Sequence, residues 1–142
     1  MVKRIVGIAG DTLLMRHGQL TVNGVVIGSP NAFVLPDKVA DQPQPLFVWQ
    51  HAIEIHGSRF GEPVPIPSLH EWGPLVVPSG TLFMMGDNRD DSVDSRFYGP
   101  VPRANLRGTP MFVYYSYDPE QGLDYARAVT AIRWRRLGTW IH

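Results

Sequence analysis

At 142 residues and 15.9 kDa the chain is long enough for one compact core and too short for two full-sized domains. Thirteen basic residues balance thirteen acidic ones, so the overall field that drives non-specific nucleic-acid binding is missing and a polynucleotide partner is disfavoured. There is no cysteine, which excludes a disulfide framework, thiolate zinc sites and a cysteine nucleophile within these residues.

In chain order, Met1–Gly7 shows no adequate apolar stretch after Lys3 and Arg4, and no later apolar run approaches the roughly 20 residues that cross a bilayer. As written, the chain is expected to be soluble. Between Leu13 and Ile27, β-branched residues lie on both sides of Asn23-Gly24, the pair best suited to a tight hairpin turn because both positions tolerate positive φ. From Ser29 to Pro78 frequent prolines break any long helix, and Leu46–Trp49 and Ala52–His56 read as strands of a small lobe. Thr81–Met85 is an apolar run of strand length that opens into the polar segment Gly86–Arg96. Met111–Tyr117 and Ala131–Trp134 complete the expected strands, and no segment has the pattern of a long amphipathic helix. The expected fold is mainly β and antiparallel, with residues 1–27 and 76–142 as the core and 28–75 as an inserted lobe.

The most informative stretch is Gly86-Asp87-Asn88-Arg89-Asp90-Asp91-Ser92-Val93-Asp94-Ser95-Arg96. On composition alone it reads as a solvated, turn-rich loop or a loose calcium site. Arg89 and Arg96 would put positive charge beside such an ion, so no metal is expected. The five histidines lack converging acidic partners in sequence and read as surface residues, and the tryptophans read as core or as a membrane-facing rim.

The residue order of that stretch resembles the Gly-Asp-Asn-Arg-Asp-Asn-Ser-x-Asp-Ser-Arg box of type I signal peptidases, departing from it at Asp91. Lys3-Arg4-Ile5-Val6-Gly7-Ile8-Ala9-Gly10-Asp11 is similar to the family's Lys-Arg-x-x-Gly-x-Pro-Gly-Asp element, with Ala9 in place of proline. The tail, with Ile132-Arg133-Trp134, Arg136-Leu137-Gly138 and Ile141-His142, is similar to family endings.

The resemblance implies a signal-peptidase fold with an inserted β and loop lobe. It also implies a serine endopeptidase that removes signal peptides from exported preproteins after small residues of the Ala-x-Ala type. On it, Lys3 is the general base and Ser92 orients the Lys3 amine. Arg4 with Asp87, and Asp94 with Arg96, support the site, and Val2 and Val93 flank the substrate cleft. A free lysine is charged at neutral pH, so a lysine base demands apolar surroundings, which Val2, Ile5 and Val6 are placed to supply. Asp91, if turned inward, would favour the ammonium form and oppose catalysis.

The family's Ser-x-Ser-Met-x-Pro-Thr box has no counterpart here. The serines at 29, 58, 68, 79, 92, 95 and 116 all lack Met-x-Pro beside them, so no nucleophile is assigned and the chain alone is expected to be inactive. The same serine's amide would help stabilise the oxyanion. The partners implied are signal peptides, a membrane surface on the extracytoplasmic face and the segment bearing the serine box, with no cofactor. Three alternatives stay open: a non-catalytic relative that captures a peptide at a sheet edge, a self-cleaving repressor with a similar dyad, and a conjugation-linked peptidase of the same superfamily.

Overall fold

A computed structural model describes residues 2–28, 41–57, 59–110, 135 and 139. The strands expected at 111–117 and 131–134, and most of the tail, lie outside the described residues. Met1–Leu106 form one compact unit and Arg107–His142 a second.

The first unit is mainly antiparallel β. Its strands are β1 (Arg4–Ile8), β2 (Thr12–Arg16), β3 (Gln19–Val22), β4 (Val25–Val26), β5 (Trp72–Val76), β6 (Thr81–Met85) and β7 (Val101–Pro102). They form a three-stranded sheet in the order β1-β6-β7 and a four-stranded sheet in the order β4-β3-β2-β5. Leu13, Met15, Leu20, Trp72, Leu75, Val77, Phe83 and Met85 form one buried cluster drawn from both sheets, with Trp72 stacked on Phe83 at 5.6 Å. Alternation in β2, where Leu13 and Met15 are buried between partly exposed neighbours, is the pattern of a strand with one face on a core.

Asn23 and Gly24 both have positive φ, 53° and 84°, and turn β3 into β4 as their chemistry demands. A second turn of the same hand, His17-Gly18 at 49° and 71°, joins β2 to β3. His adopts positive φ more readily than most residues but is a weaker signal than Asn, so this turn did not stand out in the sequence.

The region between the hairpins and β6 differs from expectation. Leu46–Trp49 and Ala52–His56 are not a pair of strands: Pro45–Ile53 is a 3-10 helix begun by Pro45. Buried Phe47 and Gln50 and half-buried Ile53 recur every third residue, the period of that helix rather than of a strand. The boundary drawn at 75/76 falls inside β5, which pairs with β2 and puts Trp72 and Leu75 in the core. Trp72 is therefore core rather than rim, and Trp49 packs partly buried against the same cluster. Among the described residues no helix is long and apolar enough to cross a membrane.

Candidate active site

Residues 3 and 92 are brought together by the pairing of β1 with β6. Arg4 stands opposite Met85 and Ile5 opposite Met84. Continued one residue outward, this antiparallel register sets Lys3 beside Gly86, where β6 gives way to the polar loop. The loop then turns back, and Lys3 Nζ meets Ser92 Oγ at 2.5 Å with the pair partly buried.

Two bonds close the loop on the strand that launches it. Gly86 N donates to Asp94 Oδ2 at 3.0 Å, and Met84 N donates to Ser95 Oγ at 2.9 Å. Asp94 also accepts from the Arg96 amide and caps the single-turn helix α1 (Ser95–Tyr98). Its carboxylate is gripped by Arg96, Nε to Oδ1 at 2.9 Å and Nη2 to Oδ2 at 2.8 Å, and both side chains are wholly buried. Arg96 Nη2 also donates to Arg89 O at 2.5 Å, pinning the outer arm of the loop. Trp49 Nε1 donates to Arg96 O at 3.0 Å and Phe47 meets Phe97 edge to face, so the 3-10 helix braces α1 from outside.

The electrostatics follow the contacts. Burial opposes ionisation of Asp94, but the Arg96 hydrogen bonds and charge, with the amides of Gly86 and Arg96, outweigh it and hold the carboxyl below its usual range. Arg4 bonds Asp87 in a fork, Nε to Oδ1 at 2.8 Å and Nη2 to Oδ2 at 3.0 Å, which lowers the Asp87 carboxyl and raises the Arg4 guanidinium. Arg89, buried and near Arg96, is pushed down first by desolvation and then by that like charge. Burial and the nearby Asp94 charge raise the Tyr98 phenol.

The structure therefore brings together Lys3 with Ser92, Arg4 with Asp87, and Asp94 with Arg96, while Val2 and Val93, each next to a member of the first pair, stand exposed. Asp91 is exposed to solvent, so the inward carboxylate considered from the sequence is not there.

Two features went unread in the sequence. Gly86 leaves the space the site occupies: a Cβ there would collide with Ser92 Oγ and lie 3.2 Å from Lys3 Nζ. His70, read as a surface residue, has only 23% of its side chain exposed and bonds Asp90 Oδ1 through Nε2 at 2.6 Å. Among the described residues no group of three His, Asp or Glu is placed to hold a metal ion.

The family model described as Signal peptidase, peptidase S26 matches residues 1–115. The chain belongs to this family. Over 124 residues it is 30% identical to the signal peptidase I of Bacillus licheniformis, covering 87% of this chain and 55% of that protein. Signal peptidase I S of Bacillus subtilis (strain 168) is 32% identical over 118 residues, 82% of this chain and 53% of its own length. A shorter match, 51% identical over 60 residues, covers 42% of this chain and 23% of the signal peptidase I of Aquifex aeolicus (strain VF5). The crystal structure of a signal peptidase I from Enterococcus faecalis V583 aligns with a TM-score of 0.46 at 27% identity, covering 76% of this chain and 80% of that one. The chain thus spans about half the length of its Bacillus relatives.

Proposed function

We propose that this chain is the general-base part of a serine endopeptidase that removes signal peptides from exported preproteins, cutting after small residues of the Ala-x-Ala type. The observation that carries the reading is the 2.5 Å contact between Lys3 Nζ and Ser92 Oγ, made across 89 positions of sequence by two elements that both lie within the family match. Lys3 acts as the base that takes the proton from a serine hydroxyl, and Ser92 aims its amine. The buried Asp94–Arg96 pair and the half-exposed Arg4–Asp87 pair hold the two segments behind it. Such pairs position groups more reliably than they stabilise a fold.

Val2 and Val93, with the outward Ile5 and Ile8 of β1, offer an apolar strip for small side chains of an extended peptide. Among the described residues β1 is an outer strand of its sheet, so such a peptide can pair along it. That arrangement also favours a second reading, in which the 142 residues by themselves bind a leader peptide without cutting it. The nucleophile and its oxyanion-stabilising amide come from a serine box outside these residues, next to a membrane anchor, and the site works at the extracytoplasmic membrane face.

The test is the intact mass and N-terminal sequence of the native protein from its own cells. The proposal expects a species heavier than 15.9 kDa with a Ser-Met-x-Pro segment ahead of the present Met1. A mature protein beginning at Met1, able to hold an Ala-x-Ala peptide without turnover, would move the conclusion to the binding reading.

A further inference from the structure

Ser92 can meet Lys3 only if the loop that carries it stays in place. The loop is fixed at its base by Asp94 on Gly86 and by Ser95 on Met84, and on its outer arm by Arg96 Nη2 on Arg89 O, which leaves the side chains of Asp90 and Asp91 between that bond and Ser92. There is no slack on the inner side, since the space of one Cβ at Gly86 is already filled by Ser92 and Lys3. Any drift of the loop is therefore outward, away from Lys3.

Asp90 is where that drift is opposed. Its side chain is 10% exposed and holds His70 Nε2 at 2.6 Å. The other ring nitrogen, Nδ1, faces Asp41 Oδ1 at 3.8 Å, within ion-pair distance. Asp41 is itself anchored, accepting from Ser68 Oγ and from the His70 amide, the latter at 3.4 Å. Ser68 Oγ in turn receives the Glu71 amide at 3.0 Å, and Glu71 Oε1 receives the His17 amide at the β2–β3 turn at 2.6 Å. A continuous run of polar contacts thus leads from a tight turn of the four-stranded sheet to the residue two places before Ser92.

We propose that His70 is a positioning residue for the Lys3–Ser92 pair, tying the loop through Asp90 to Asp41 so that Ser92 Oγ stays within reach of Lys3 Nζ. The inference rests on the reading of Lys3 as a base oriented by Ser92. A displacement on the order of 1 Å in such an arrangement is worth about a hundredfold in rate.

The sequence offers a clean probe, because Lys3 and Lys38 are its only lysines. In the 142-residue chain labelled with 13C-lysine, NMR resolves the ε-methylene signals of both, and Lys38→Arg identifies that of Lys3. A lysine held in one conformation shows two distinct ε-protons, whereas a freely rotating one averages them to a single line. The wild type is expected to show two Lys3 lines, and Ser92→Ala to merge them. His70→Leu, which keeps bulk but removes both ring nitrogens, is expected to merge them too. His70→Gln, which returns a donor toward Asp90, keeps them apart. Should His70→Leu fail to fold, Asp90→Asn removes the charge from the other side of the contact and is expected to narrow the splitting.

If Ser92→Ala merges the lines while His70→Leu leaves them split, His70 has no positioning role. If Leu and Gln merge them equally, the effect is one of packing and the proposal is overturned. If the splitting survives Ser92→Ala, the reading of Lys3 and Ser92 as a pair has failed, and the role of His70 falls with it.

Discussion

The β2–β4 meander and the loop from Gly86 to Arg96 share one compact unit and are held by opposite means. The meander is local: two tight turns set its register, and Leu13, Met15 and Leu20 bury themselves in the common core. The loop has little apolar anchorage of its own. It is shaped by Asp94 and Arg96 inside, by Asp87 against Arg4 at its root, and by Asp90 against His70 at its flank. Burial without direction suffices for the first, because a sheet needs only its register. The second must hold one oxygen against one amine, and directional, charge-assisted bonds do that at the cost of desolvating charge. Burial thus holds one part of the fold, and placed charges hold the other.

The largest expected effect breaks the loop at its centre. Asp94→Asn leaves the Arg96 guanidinium buried without a counter-charge and should cost about 3–5 kcal/mol, read as a drop in the urea midpoint. The same pair sets the acid response. The folded Asp94 and Asp87 carboxyls sit below their usual range, so their contribution is complete above the unfolded value of about 3.9 and is lost as pH falls through the lower folded values. Thermal melts of the wild type should lose stability below about pH 4, and Asp94→Asn should flatten that slope.

Next is Gly86→Ala, whose methyl has no space beside Ser92 and Lys3; it should cost about 1–3 kcal/mol and separate the pair, merging the Lys3 lines. Asn23→Ala sharpens the contrast from the other side. It forces alanine to positive φ and removes the bond from Thr12 N to Asn23 Oδ1, which together should cost about 1–2 kcal/mol while leaving the Lys3 signals split. Smallest is Arg4→Gln: its ion pair with Asp87 is one-third to nearly half exposed, and its loss should cost less than about 1 kcal/mol, less still in high salt.

What the sequence reveals divides along the same line. Asn23-Gly24 announces its turn because backbone sterics at two residues decide it, and Thr81–Met85 announces a buried strand by its unbroken apolarity. The Lys3–Ser92 contact became legible only through the order of residues in two boxes, since no local rule joins positions 89 apart. Pro45–Ile53 misled because four apolar residues in a row suit a strand or a tight helix equally, and what distinguishes them is the third-residue burial of Phe47, Gln50 and Ile53. His70 carries no signal at all. Its role arises from the approach of residues 41, 70 and 90, which lie in separate segments with no shared motif. Of two adjacent aspartates, the one that departs from the family box, Asp91, faces solvent, while the unremarked Asp90 makes the contact.

The central claim is that Lys3 is the base of a peptide-cutting site, and cleavage of an Ala-x-Ala leader peptide by the native protein, with and without Lys3→Ala, tests it most directly. The account predicts that the wild type cuts and that Lys3→Ala lowers the rate by about 10²–10⁴-fold with the melting temperature little changed. Cleavage by the Lys3→Ala protein at the wild-type rate would contradict it.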